Sequence, residues 1–354
     1  MNAPPLADAP FHLPLRFVDV PLCVRTNDES IRSRLRAYFA PYVVEPMPAP
    51  SAEVILIQGR ADTRGAFEDV RRGSGRRVKE AVREEPGCRL ILKRTTGVLM
   101  GLTPEHAFAQ GDLRSHLNQA INLVNACYAK TVLKRGHVLF HASAVTWGDR
   151  AAVLAGVPGA GKSTAALHLV EEGFRFLSND RVLAKAGSNG DASAAQNVEL
   201  LGYPKQPRVN PGTLLHHPRL TTLLESEDQK ALRALSVEEL WRLERKSDVD
   251  LDAIYGQGTV DLAGSMQCLI LLKWRLGESG FAVRRLTAAE AMANLPIFYK
   301  DLGVFDLDRP VDRLGVVEQL QRYSAVCERV RVLEVLGGVD FSALVDLVGD
   351  ELAK

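Results

Sequence analysis

The residues best suited to chemistry stand in one run. Gly156-Val157-Pro158-Gly159-Ala160-Gly161-Lys162-Ser163 fits the spacing G-x-x-x-x-G-K-[ST] at every position. Glycines at these places let the backbone turn tightly and aim successive N–H groups inward, a nest for phosphate oxygens. A helix opening directly from the loop adds the partial positive charge of its N-terminus. Lys162 would bridge the β- and γ-phosphates and Ser163 would hold Mg²⁺. Gly156, Pro158, Gly159, Ala160, Gly161, Lys162, Ser163 and Thr164 are therefore the expected nucleotide-binding set, with ATP or GTP and Mg²⁺ as cofactors. The competing reading, a glycine turn with an accidental lysine, lacks the context found here: an apolar strand before the loop and an amphipathic helix after it.

Phosphate-loop NTPases usually place a metal-positioning Asp at the end of a distant buried strand. The candidate strand at 268–272 ends in Lys273-Trp274-Arg275 and offers no carboxylate. Asp180 is the nearest acid at a strand end, following Phe176-Leu177-Ser178-Asn179 directly after the loop's helix. A carboxylate beside the γ-phosphate can take the proton of an incoming hydroxyl, which is what phosphoryl transfer to an alcohol needs. Asn-Asp after a strand is also ordinary turn chemistry. Further on, the proline-punctuated loop at 202–212 carries Lys205 and Arg208. It is either a well-ordered connection or a means of bringing two cations to the transferring phosphoryl group or to an acidic acceptor.

This arrangement resembles the C-terminal domain of HPr kinase/phosphorylase, the bacterial P-loop kinase that phosphorylates a serine of a sugar-transport carrier protein. The resemblance covers roughly residues 137–275. It implies an α/β fold: a P-loop kinase domain of the HPr kinase type, a mixed sheet with flanking helices, preceded by a smaller α/β domain. It also implies roles: Asp180 as general base, His141 (in FHASAV) as its orienting partner, and Ser163 with Glu199 (in VELLGYP) as metal contacts. Taken alone, His141 reads as a satisfied core histidine and Glu199 as an edge-strand charge. Two departures stand out. Asn179 occupies the place of the first aspartate of the family's pair, which thins the metal shell, and the family's phosphorolysis loop is not recognisable. The resemblance thus implies an HPr kinase-related kinase without the reverse reaction, acting on a serine of a protein or peptide. A small-molecule alcohol is the alternative acceptor, and a nucleotide-hydrolysing switch or assembly factor the alternative class. A switch of the guanine type would carry an Asn-Lys-x-Asp motif, which is not found.

The elements that must position these residues follow from periodicity. In the first part, 16–23 and 52–57 read as strands, 90–102 as a hairpin turning at Thr95-Thr96-Gly97, and Asn27 or Asp28 as the cap of a helix through Ile31, Leu35 and Phe39. Residues 73–77 read as a solvated basic loop. Leu113, Leu117, Ile121, Val124, Tyr128 and Val132 form one apolar stripe, predicting a helix over 111–135 that Gly136 terminates. From there, 137–145 and 151–155 form a hairpin into the glycine loop, 162–172 a helix, and 174–177 a strand. Residues 186–197 are a small-residue loop, 211–241 helical in parts, 267–273 a buried strand and 329–335 a late strand before a closing helix. Two domains are expected: 1–135, an N-terminal α/β domain, and 136–354, the nucleotide-binding kinase domain.

Composition bounds the rest. Of 354 residues, 46% are hydrophobic and 25% charged, ordinary for a soluble globular protein, and a net charge of +1 implies no nucleic-acid partner. Five scattered cysteines suggest neither a metal site nor a disulfide framework. The sequence reads as having no signal peptide and no membrane span, and predicts a cytoplasmic enzyme with a hydroxyl-bearing partner and a possible homo-oligomer.

Overall fold

The computed structural model describes residues 8–45, 49–71, 78–187, 197–243, 245–307 and 313–354. The basic loop expected at 73–77 and the greater part of the small-residue loop, 188–196, lie outside them. The chain divides into two compact units, one drawn from Met1–Arg135 with Asp301–Arg309, the other from Gly136–Lys300 with Pro310–Lys354.

The first unit is an eight-stranded mixed sheet with helices. Strands β1 (Phe11–Phe17) and β2 (Val20–Thr26) form a hairpin, so the run read as a single strand over 16–23 is instead the turn joining two. Asp28 caps α1 (Glu29–Tyr38) by accepting from the Ile31 amide at 3.0 Å. There follow β3 (Ala52–Gln58), β4 (Glu68–Asp69), β5 (Glu80–Glu85), β6 (Cys88–Lys93), β7 (Leu99–Leu102) and β8 (His106–Gly111), in the spatial order β1-β2-β3-β8-β7-β6-β5-β4. β6 and β7 pair antiparallel about the turn expected at residues 95–97. Helix α2 (Leu117–Lys134) is shorter than the stripe suggested: Gly111 closes β8, and Leu113 is buried ahead of the helix rather than on it. An apolar stripe reports which residues face the core, not where the hydrogen-bond ladder starts.

The second unit carries the glycine loop. Its strands are β9 (Val138–Phe140), β10 (Ala142–Trp147), β11 (Arg150–Gly156), β12 (Arg175–Ser178), β13 (Val182–Ala186), β14 (Val198–Gly202), the short pair β15 (Arg208–Val209) and β16 (Ser247–Asp248), β17 (Ala263–Leu272), β18 (Phe281–Leu286) and β19 (Arg331–Gly337). The main path is β12-β10-β11-β17-β14-β13-β9, with β19 parallel to β17 and β18 antiparallel to β19. Its helices are α3 (Lys162–Glu171), α4 (Pro211–His216), α5 (Ser226–Arg233), α6 (Val237–Arg242), α7 (Leu251–Tyr255), α8 (Ala288–Ala293), α9 (Leu295–Phe298), α10 (Arg313–Arg329) and α11 (Phe341–Ala353).

Both sheet faces are covered, which explains the unbroken apolar runs of its central strands. Along β11, Ala152 and Leu154 face one core with α3 and α11, whereas Ala151, Val153 and Ala155 face a second with α9 and α10. β17 alternates in the same way: Cys268, Ile270 and Leu272 on the α3 side, Leu269 and Leu271 on the other. The α/β character and mixed sheets with flanking helices agree with the expected class.

Candidate phosphate-loop site

The glycine run joins β11 to α3, as its spacing requires. Gly159 (φ 86°) and Gly161 (φ 82°) adopt left-handed backbone, which a side chain would strain, and Gly161 is the N-cap of α3. Trp274, just past β17, donates its buried indole N–H to the Ala160 carbonyl at 2.8 Å and pins the loop. Lys162 Nζ donates to the Gly156 carbonyl at 2.7 Å and to the Val157 carbonyl at 3.3 Å. Burial pulls the Lys162 ammonium down to about 8; the charge of Asp180 opposes that fall, and Lys246 and Lys300 deepen it. Thr164 meets Thr213 of α4, hydroxyl to hydroxyl, at 2.8 Å, while Val157, Pro158 and Gly159 form the exposed lip.

The segment after β12 meets this loop directly. Asn179 Oδ1 accepts from Ser163 Oγ at 2.7 Å and from Ser143 Oγ at 3.0 Å, joining α3 to β10. Asp180 follows in left-handed backbone at φ 70°, a conformation Asp tolerates better than most residues and one that gathers at functional turns. Its Oδ1 is 3.4 Å from His141 Nε2 and its Oδ2 3.6 Å from Arg181 Nε. Desolvation pushes this carboxyl up, but the hydrogen bond from His141 and the charges of Lys300 and Arg181 outweigh it, holding Asp180 well below the usual carboxylate range.

His141 is not on a continuous strand as expected over 137–145. The chain breaks there, because β9 pairs with β13 whereas β10 pairs with β11 and β12. The His141 amide donates to the Phe298 carbonyl at 2.7 Å, so the end of α9 holds the break. This kink turns an otherwise sheet-bound side chain toward Asp180.

Glu199 does not join the site. It pairs in register with Ser265, which is opposite Arg150, six residues down β11 from Gly156. At about 3.3 Å per residue that is on the order of 20 Å along the strands. Its carboxylate instead stands 3.0 Å from Nε2 of His137. The metal contact expected at Glu199 is therefore corrected: a match in sequence order placed the acid on the right strand but at the wrong end. The side-chain oxygen that does reach Ser163 is that of Asn179, with the Asp180 carboxylate next in sequence, hard donors of the kind Mg²⁺ takes together with phosphate oxygens and water. Among the described residues, no group of three His, Cys, Asp or Glu side chains could hold a metal ion. All five cysteines are buried and unbridged.

The loop carrying Lys205 and Arg208 is fixed against the same segment. At Gly202 an added Cβ would fall 2.2 Å from the Leu177 carbonyl oxygen, so only glycine lets β14 approach this closely. The approach allows the Tyr203 amide to donate to Ser178 Oγ at 3.0 Å, while Ser178 Oγ donates to the Arg181 carbonyl at 2.5 Å. Burial first, then the charges of Arg181 and Arg208, lower the Lys205 ammonium from its ordinary value, against the pull of Asp180 and Asp248. Arg208 is exposed on the β15–β16 ribbon, 2.9 Å from Asp248 and donating to the Lys246 carbonyl at 3.2 Å.

Asn179, Ser143, Ser178, Arg181, Lys246, Lys300 and Trp274 belong to this site without having been singled out as contributors. Asn179 had a signal, since it fills the place of a family carboxylate. Lys246 and Lys300 had none, standing far along the chain outside any motif.

No family model and no curated protein matches the chain. Among solved structures, it is similar to one titled "Structure of the Hpr(Ser) kinase/phosphatase from Coxiella burnetii", with 12% identity and a TM-score of 0.28 over 60% of this chain and 94% of that one. A score that low leaves the chemistry to this chain's own geometry. Among the described residues, no helix is long and apolar enough to cross a membrane.

Proposed function

We propose that this protein is a nucleotide-dependent phosphotransferase, with 136–354 as a P-loop kinase domain of the HPr kinase type. It would pass the γ-phosphate of ATP or GTP to a hydroxyl, the serine of a protein or peptide or else a small-molecule alcohol. The observation that carries this reading is the 2.7 Å hydrogen bond from Ser163 to Asn179, which sets the neighbouring Asp180 within the field of the loop lysine.

In this reading the loop amides and Lys162 hold the phosphates, and Ser163, Asn179 and Asp180 would hold Mg²⁺ along with the nucleotide. The metal, when bound, neutralises charge on the phosphate oxygens. Asp180 orients the incoming hydroxyl and accepts its proton at a carboxylate oxygen, with His141 fixing its rotamer. A carboxylate this acidic is a weak base, which suits phosphoryl transfer, where positioning and electrostatics outweigh proton abstraction. Lys300 and Arg181 keep Asp180 ionised and ready.

The test is nucleotide turnover with and without cell extract, and transfer of labelled phosphate from γ-labelled ATP. Release of ADP that depends on an acceptor, abolished by Asp180→Ala while nucleotide still binds, is the expected result. Turnover equally fast without an acceptor and indifferent to Asp180→Ala would reject the kinase in favour of a hydrolytic switch.

A further inference from the structure

Ser143 is a sealed hydroxyl on a strand whose other side chains pack. Along β10, Ala142 and Ala144 face the core shared with α9 and α10, and Val145 faces the core under α3. Ser143 alternates with the two alanines onto the α3 side and has no exposed surface. A hydroxyl there costs free energy unless it finds a partner, and an alanine would occupy the strand without that cost. Its partner is Asn179. β10 and β12 pair antiparallel with Ala144 opposite Ser178, so the next residues out, Ser143 and Asn179, come face to face. Ser143 Oγ donates to Asn179 Oδ1 at 3.0 Å, the same oxygen that accepts from Ser163 Oγ at 2.7 Å.

Two hydroxyls on one oxygen matter because an amide has two unlike ends. A carboxylate offers acceptors at both, whereas Asn offers an oxygen at one and an N–H₂ without lone pairs at the other. With Oδ1 toward Ser163, the serine's proton goes to the amide and its lone pairs stay open to a cation. Turned over, the amide would press N–H protons on Ser163, engaging a lone pair the cation needs and repelling the cation as well. Ser163 alone does not decide between the two, since it is half-buried and its proton can turn to water. Ser143 does decide. Its proton is shut away from solvent, and turning the amide over would leave a buried donor without its acceptor, the expensive way to lose a hydrogen bond.

We propose that Ser143 is a positioning residue for the metal half of the site, its sealed proton holding the Asn179 amide oxygen-first toward Ser163. The proposal rests on the phosphotransferase reading and adds to it a residue that orients a Mg²⁺ contact without being one. An amide so held presents to Ser163 what a carboxylate would present either way round.

The experiment uses the full chain and measures AMP-PNP binding by calorimetry with and without Mg²⁺. The ratio of the two affinities reports the metal and needs no turnover. Ser143→Ala should lower that ratio by about tenfold, the weight of a group that orients a metal ligand. Binding without Mg²⁺ should be unchanged, which shows the variant to be folded. In an Asn179→Asp background the same Ser143→Ala change should lower the ratio by less than about twofold, because a carboxylate has no wrong way round. Where Ser143→Ala does not fold, Ser143→Cys takes its place, a small side chain with only a weak donor. An unchanged ratio in Ser143→Ala removes the residue from the site, and an equal loss in both backgrounds makes it a packing residue. Either result overturns the proposal and leaves the phosphotransferase reading standing. If Mg²⁺ does not strengthen AMP-PNP binding in the unaltered protein, the metal assignment itself has failed, and Ser143 loses its role with it.

Discussion

Two regions meet at Ser163, and they are held by different means. On one side the phosphate loop is a local device: consecutive residues, two left-handed glycines and a helix start, braced by an indole hydrogen bond from Trp274. On the other side stands an assembly of four distant segments: the kink at His141, the turn Ser178–Arg181, the Tyr203 loop and Lys300. The first needs little beyond its own sequence to form. The second exists only when the sheet has closed, since a strand break, a glycine at Gly202 and a buried serine hydroxyl bring its parts together. In the proposed function, nucleotide binding would fall to the local device and the chemistry of transfer to the assembled one. Substitutions on the two sides should accordingly fail in different ways.

The largest effect falls on the assembled side. Asp180→Asn removes the proton acceptor and one charge while keeping the side chain's shape. Phosphoryl transfer should fall by about 10² to 10⁴, the usual weight of a positioned acid–base group. Affinity for nucleotide measured without Mg²⁺ should hold or tighten, because a negative charge near the phosphates has gone. Single-turnover transfer beside equilibrium nucleotide binding separates the two quantities, and a parallel loss of both would erase the distinction between the regions. Lys162→Ala is the converse. Nucleotide affinity and transfer should fall together, by about tenfold to a hundredfold in affinity if the contact is worth the 1.5–3 kcal/mol of a charged hydrogen bond. An unaltered affinity would remove the loop from the mechanism.

The same contrast decides what was legible in the residues alone. A glycine nest is written in consecutive positions, so its lysine, its serine and the helix that follows were all found where spacing put them. Asp180 lies next to the residue that bonds Ser163, where a short strand and turn place it by local chain geometry. Glu199 was misplaced because sequence order says which strand a residue is on but not which end of the sheet it reaches. His141 was found beside Asp180, yet the strand break that turns it there reflects a change of pairing partners, invisible in an apolar run. Lys300 could not be found at all: its position depends on α9 returning to the β9–β10 junction, where the Lys300 amide donates to the Leu139 carbonyl at 3.1 Å. The same limit applies in the first unit, where the stripe from Leu113 to Val132 gave the buried face of α2 but overran its start.

A smaller effect comes from the loop lysine's own titration. With nothing bound, burial and two neighbouring lysines bring its ammonium down to about 8. Phosphate oxygens favour the charged form, so binding raises the value again and takes up a proton wherever the pH lies between the two. Affinity for Mg²⁺–nucleotide should then be level below about pH 8 and weaken above it, by up to about tenfold per pH unit. Calorimetry at pH 9 in two buffers of different ionisation heat should register close to one proton taken up per nucleotide, and in Lys162→Met none. Uptake of zero in the unaltered protein would mean that the ammonium is fully charged before binding, and would remove the burial-driven lowering of Lys162 from the account.

The smallest effect is expected at the acid that lies out of reach. Glu199 is paired with His137, and register sets it level with Arg150 rather than with Gly156. Its carboxylate is more than half exposed, at 56%, so water screens that pair and its removal should cost at most about 1 kcal/mol. Glu199→Gln should leave Mg²⁺ affinity in the nucleotide complex within twofold, whereas Asn179→Asp, which sets a second carboxylate next to Ser163, should tighten it. A titration of Mg²⁺ against both variants reads the difference directly. If Glu199→Gln weakened the metal tenfold while Asn179→Asp did nothing, the cation would be bound through the far end of β14, and the turn at Asn179–Asp180 would lose its claim to be where the two regions join.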